Sequence, residues 1–145
     1  EHFLDLGSGF TVQPQVGSTI VTGLRFYPAN DAEERDPASF LFEGSLSPAG
    51  SSWTTIASGA LALPSVRNAG GNTPLAGLVF QEVTFGNTAF YDAYRLTFPT
   101  LKNAAAANSM QIAEVELLGT VIPEPSTFTL LGLTGLGWLL WRRRS

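Results

Sequence analysis

Ile20-Val21-Thr22-Gly23-Leu24-Arg25-Phe26-Tyr27-Pro28 alternates with a period of two. Ile20, Thr22, Leu24 and Phe26 fall on one face of an extended chain, Val21, Arg25 and Tyr27 on the other, and Pro28 ends the run. Successive side chains of a strand point to opposite faces, so this pattern predicts a half-buried strand. It recurs along the chain. Phe40 and Phe42 flank Leu41 in a run that stops at Gly44, and Trp53 to Ile56 forms another, with Trp53 expected in the core. Val79 to Phe85 follows, then Tyr94, Leu96 and Phe98 alternating with Arg95 and Thr97. In the last run, Met110 to Leu118, Ala113, Val115 and Leu117 are expected to face inward and Ile112, Glu114 and Glu116 outward. Pro37, Pro48-Ala49-Gly50, Gly70-Gly71-Asn72 and Gly86-Asn87 supply turns between the runs, and only Ala104 to Ala107 favours a helical turn. Short strands at this spacing without intervening helices predict an all-β antiparallel sandwich.

The size, 145 residues, is that of one domain with an appendage, and 44% apolar residues suffice for a core. Only 14% are charged, so Ser, Thr, Asn and turn residues must solvate much of the surface. A net charge of −4 with one Lys excludes a general nucleic-acid binder, which needs clustered cations to displace counterions. With no Cys and one His, cysteine proteases, disulfide scaffolds, zinc fingers and multi-His metal centres are excluded as well. Serine-hydrolase chemistry would have to rest on His2. The chain opens on Phe3-Leu4-Asp5-Leu6-Gly7, already a strand running into a turn, so an N-terminally truncated domain is expected.

Charge divides the chain. Residues 1–119 hold eleven acids and five bases, whereas residues 120–145 hold Glu124 against Arg142, Arg143 and Arg144. Between Phe128 and Trp141 there is no charge. Pro123 and Pro125 keep the chain ahead of this run extended, which presents Pro123-Glu124-Pro125 to a partner. As a helix, residues 128–141 would span about 21 Å, short of a hydrocarbon core of roughly 30 Å. Trp138 and Trp141 suit the membrane interface, and the three arginines form a cytoplasmic stop.

The order Pro-Glu-Pro, short apolar stretch, basic end over Ile122 to Ser145 resembles the PEP-CTERM sorting signal of bacterial surface proteins. The resemblance implies export, transient anchoring in the inner membrane through residues 128–141, and recognition by an exosortase, an integral-membrane cysteine protease that cuts the anchor away. It implies a final place in the cell envelope or outside the cell, among exopolysaccharide. The same type of segment has carried the label of an ice-binding protein C-terminal domain, but the body lacks the regular Thr-x-Thr array that ice binding needs.

Leu24-Arg25-Phe26-Tyr27, the loop from Ala29 to Pro37, Ser39-Phe40-Leu41-Phe42-Glu43-Gly44-Ser45, Trp53-Thr54-Thr55-Ile56, Tyr94-Arg95-Leu96 and Ile112-Ala113-Glu114-Val115-Glu116-Leu117 follow one another in an order that resembles a discoidin (coagulation-factor type C) domain. This resemblance implies a galactose-binding-like jelly-roll over residues 1–119, and the tail's own resemblance adds a linker over 120–127 carrying the Pro-Glu-Pro motif and a hydrophobic anchor helix with its basic stop over 128–145. Related domains bind galactose-type sugars, other glycans or lipid headgroups through loops at one end, and many hold a structural calcium. The Ala113 carbonyl and the Glu114 carboxylate match the calcium-holding pair. Calcium takes six to eight oxygens, and the remainder would have to come from an N-terminal Asp-Gly loop absent from this sequence.

The loop Asn30-Asp31-Ala32-Glu33-Glu34-Arg35-Asp36 is the densest polar cluster of the body, and its carboxylates and guanidinium offer the paired hydrogen-bonding atoms that vicinal sugar hydroxyls require. A self-satisfied turn, with Arg35 bracing Asp31 or Asp36, fits the same residues. Arg67 and Asn68 stand at a strand exit, where binding loops occur, and Phe90 and Tyr91 are candidates for stacking on a sugar face. The expected ligand set is Asn30, Asp31, Arg35, Asp36, Arg67, Asn68 and Tyr91. The function expected is a non-catalytic, exported binding module for carbohydrate. The alternatives are a structural matrix protein without a specific ligand and a two-carboxylate glycosidase drawing on Glu33, Asp36, Glu114 and Glu116.

Overall fold

The computed structural model describes residues 8–69 and 74–122. It contains seven strands: β1 (Gly9–Val12), β2 (Thr19–Tyr27), β3 (Ser39–Ser45), β4 (Thr54–Ala60), β5 (Gln81–Thr84), β6 (Ala93–Thr97) and β7 (Glu114–Val121). They form two sheets of order β1-β6-β3-β4 and β5-β2-β7, with every pairing antiparallel. Two 3-10 turns, Glu33–Arg35 and Leu75–Gly77, interrupt the connections, and no α-helix occurs among the described residues. The strand expected over Phe3 to Leu6 and the anchor helix of residues 128–141 lie outside the described residues.

The core is a β-sandwich interior. Leu24 and Phe26 from one sheet meet Phe40, Phe42, Tyr94 and Leu96 from the other, each 3% exposed or less. Full burial of such side chains contributes about 1.5–3 kcal/mol each. Aromatic rings fill the middle: Phe26 lies 5.5 Å from Phe40 and 6.3 Å from Phe98, and Phe42 stacks on Tyr94 at 5.2 Å.

Three inward–outward assignments differ from the sequence expectation. In β2 the register with β7 shifts between Val21 and Gly23, a bulge that inverts the alternation. Val21 therefore joins Leu24 and Phe26 in the core, while Thr22 is exposed and Ile20 is left only partly buried. In the last run, β7 begins only at Glu114; Ile112 packs against the core and Ala113 is exposed. Trp53 is half-buried and lies outside the core, with the Arg95 guanidinium 4.7 Å above its ring.

Because the strands alternate in direction, the sandwich has two unlike ends. The β2–β3, β4–β5 and β6–β7 connections gather at one, which we term the polar end. There Lys102 N–H donates to Asp36 O at 2.8 Å, Ala113 N–H to Tyr27 O at 3.0 Å, and the Asn68 side chain to Pro28 O at 3.0 Å. The β1–β2, β3–β4 and β5–β6 connections gather at the other. There Thr19 pairs with Tyr91, Asp92 N–H donates to Ser45 O at 2.9 Å, and Ile122 N–H donates to Ser18 O at 2.9 Å. The chain leaves β7 at this second end, the tail end.

Candidate functional site

At the polar end the acidic loop folds over a buried ion pair. Asp36 is 0% exposed, and the Arg67 fork donates to both its oxygens, Nη1 to Oδ1 at 2.8 Å and Nη2 to Oδ2 at 2.7 Å. Arg67 also donates to Pro64 O at 2.8 Å and to Asp31 O at 3.3 Å. The hydrogen bond to Asp36 is the main cause of a raised Arg67 pKa. The brace considered for Arg35 is thus made by Arg67, whose fork takes both Asp36 carboxylate oxygens, while its buried Nε finds no partner among the described residues. Asn68 is a second brace, 7% exposed. Its amide donates to Pro28 O and Val79 O, both at 3.0 Å, and accepts from Val79 N–H at 2.8 Å. Three residues expected to meet ligand therefore form the floor on which the loops rest.

The rim remains. Asn30 and Asp31 are exposed and Arg35 is half-buried. Ala32 between them has φ 41° and ψ 67°, a left-handed conformation costing an alanine about 1 kcal/mol. It is held by Arg35 N–H on Ala32 O at 2.9 Å and by the Gln111 side chain, which donates to Asp31 O at 2.5 Å and Ala32 O at 3.0 Å. Over-determined strain of this kind concentrates at working loops. Glu33 pairs with Lys102 and accepts from the Ser65 hydroxyl at 2.9 Å. The Lys102 bond first, then Ser65, holds the Glu33 carboxyl below the usual glutamate value.

Tyr91 does not belong to this set. It sits at the tail end, 8% exposed, with its ring 6.0 Å from that of Tyr94 and packed so closely over Gly44 that a Cβ there would come nearer than 3.0 Å to its ring carbons. Its neighbour Phe90 is half exposed at the same end.

The aromatic of the polar end is Phe80, 41% exposed, which the alternation alone did not single out. Asn68 ties Val79 beside Pro28, which brings Phe80 to the end that carries Asn30 and Asp31. Phe80 packs at 5.4 Å against Tyr27, the rings tilted by 50°, and lies 4.9 Å beneath the Arg25 guanidinium. Arg25 in turn bridges Glu82 at 2.7 Å and Glu116 at 3.4 Å, and the Tyr27 hydroxyl donates to Glu116. Burial first, then the Glu116 carboxylate, raises the Tyr27 pKa, and the bond to Glu82 raises that of Arg25. Register explains the network, since Arg25 faces Glu82 on one neighbour strand and Glu116 on the other. An apolar disc beside a guanidinium and two carboxylates is a surface on which a sugar ring can stack while its hydroxyls find donors and acceptors.

Ala113 and Glu114 are both exposed at the start of β7, and Glu114 Oε1 accepts from Val115 N–H at 3.3 Å. No group of three or more metal-ligating His, Cys, Asp or Glu occurs among the described residues, so this pair does not by itself fit calcium.

Residues 121–144 match the family model described as the PEP-CTERM protein-sorting motif, a signal for exosortase recognition and membrane-anchored export to the envelope or beyond. Pro123, Glu124, Pro125 and Arg142, Arg143, Arg144 lie within that match and outside the described residues. No curated protein matches the chain. The fold is similar to the crystal structure of the C-terminal domain of a chitobiase from Bacteroides fragilis, with a TM-score of 0.50 and 14% identity. That likeness covers 74% of this chain and 60% of the other, so the chain spans well under the full length of its structural neighbour.

Proposed function

We propose that the chain is an exported envelope or extracellular-matrix protein whose sandwich, a galactose-binding-like jelly-roll of discoidin type, binds carbohydrate without catalysis at its polar end. The observation that carries this reading is Phe80, an exposed aromatic set against the Arg25–Glu82–Glu116 network at the end that presents Asn30 and Asp31. The likeness in fold to a domain of a chitobiase, an enzyme named for a sugar substrate, supports the same ligand class. Three of the four carboxylates a glycosidase could draw on are engaged within the protein, Glu33 by Lys102, Asp36 by Arg67 and Glu116 by Tyr27 and Arg25, which leaves the exposed Glu114 without an acidic mate. So shallow a site binds a monosaccharide weakly, at about 4–6 kcal/mol. Display of many copies on one surface supplies the avidity.

A glycan array probed with the full chain tests the reading. Selective retention that Phe80→Ala and Asp31→Ala abolish with an unchanged melting temperature supports it. Silence across the array favours instead a structural matrix protein, which the pairing of Glu33 with Lys102 and Asp36 with Arg67 also suits. The sorting half has its own check. An exosortase that cuts near Pro123-Glu124-Pro125 leaves an exported form lacking Trp138 to Ser145 by mass spectrometry; an intact C-terminus outside the cell refutes it.

A further inference from the structure

The tail end of the sandwich is chemically unlike the polar end. Its three connections, residues 13–18, 46–53 and 85–92, contain one charged side chain, Asp92, which accepts from the Ser18 hydroxyl at 2.5 Å. Each connection nevertheless exposes a large apolar residue: Val16 at 61%, Leu46 at 62% and Phe90 at 50%. Val121, where β7 ends, adds a fourth at 49%. Leu46 and Phe90 line one cleft of about 390 Å³, and Val16 and Val121 line another of about 230 Å³. Exposed apolar side chains occur at the polar end too, Val66 and Leu75 among them. There they share the surface with Asp31, Glu33, Glu34, Arg35 and Lys102.

The route of the chain says what faces this end. Ile122 is still tied to Ser18, and Phe128, the first residue of the uncharged run, follows six residues later. Six residues reach at most about 20 Å. Resting on the sequence reading of residues 128–141 as a transient inner-membrane anchor, the geometry points to the tail end as a membrane-contacting surface. Val16, Leu46, Phe90 and Val121 seat the domain on the lipid surface while the chain is anchored, and the polar end with Phe80 and Asn30 points outward. An apolar, nearly uncharged set of loop tips binds through lipid acyl groups and not through anionic headgroups, so the contact is insensitive to salt and to anionic lipid content. Seating also keeps Ile122, from which the chain runs on to Pro123-Glu124-Pro125, close to the membrane surface.

The chain has no Cys, so single-cysteine labelling is direct. Full-length Phe90→Cys, Leu46→Cys and, as the polar-end control, Val66→Cys are labelled with a fluorophore and reconstituted into phosphatidylethanolamine vesicles with and without phosphatidylglycerol, some carrying nitroxide-tagged lipid. Flotation reads anchoring independently of contact. The expected result is strong quenching of the probes at positions 46 and 90, several-fold above that at 66, unchanged by salt or phosphatidylglycerol. Chains that float with equal quenching at all three positions overturn the proposal while leaving anchoring intact. Chains that do not float overturn the anchoring reading, and the proposal with it. Quenching at 46 and 90 only in native membranes, and not in pure lipid, assigns the surface to a protein partner and also overturns it.

Discussion

Arg67→Ala tests whether the acidic loop stands on an ion pair or presents one to a ligand. The substitution strips Asp36, 0% exposed, of the fork that donates at 2.8 and 2.7 Å, and leaves the carboxylate buried without its charge partner. Removing one partner of a buried pair costs about 3–5 kcal/mol. The Arg67 side chain is 19% exposed, so water reaches the gap in part and the lower half of that range applies, about 3–4 kcal/mol. For a domain of this size each kcal/mol is worth roughly 3–6 °C, so the melting temperature should fall by roughly 10–20 °C. Asp36→Ala should cost less, because the freed guanidinium can turn toward solvent. The double variant should be less destabilised than the sum of the two, with a coupling of about 2 kcal/mol. Urea titrations followed by far-ultraviolet circular dichroism give all three values, provided the slope stays constant across the series. A loss below about 1 kcal/mol, with glycan retention abolished, would refute the brace and return Arg67 to the binding surface.

Two further outcomes follow from packing and titration. Gly44→Ala drives a Cβ into the Tyr91 ring and should cost about 1–3 kcal/mol by overpacking, while Gly86→Ala, with nothing within 4 Å, should be near neutral; equal melting temperatures would contradict the packing of Tyr91 over β3. Burial raises the hydroxyls of Tyr27 and Tyr94 above the ordinary value of 10.0, so the folded protein keeps protons that the unfolded chain gives up. Their contribution is whole below about pH 10 and is lost as the pH rises through the folded values. Tyrosinate absorbance from these two residues should therefore rise at a higher pH in the folded protein than in the urea-unfolded chain, and an equal or lower midpoint in the folded protein would contradict it.

What the sequence could and could not say is visible residue by residue. Alternation from Ile20 to Tyr27 sufficed to predict a strand, but Thr22 and Gly23 fit a regular strand and a bulge equally well, and only the register with β7 shows the inversion that buries Val21. The acidic loop read as a surface cluster because four carboxylates in seven residues cannot all be buried. Nothing local distinguishes Asp36, whose partner lies 31 residues away, from Asp31, which is exposed. Phe90 and Tyr91 are adjacent aromatics in one connection, and the backbone pairing of Thr19 with Tyr91 turns one inward and leaves the other out. Phe80 gained meaning only when cross-strand neighbours placed Arg25 above it.

The sorting motif was legible without any fold, because its parts are contiguous in the chain. Where it points was not. The strands reverse direction one after another, so the seventh runs the same way as the first and delivers the tail to the end that holds the β1–β2, β3–β4 and β5–β6 connections. A β7 that ran the other way would have sent the chain out at the end that holds Asp31 and Glu34. Where the tail stands relative to the charge asymmetry of the two ends is therefore intelligible only from the direction of β7. On the proposed reading, an acidic end that meets sugar and an apolar end that meets lipid both follow from β7 running in the direction of β1, β3 and β5.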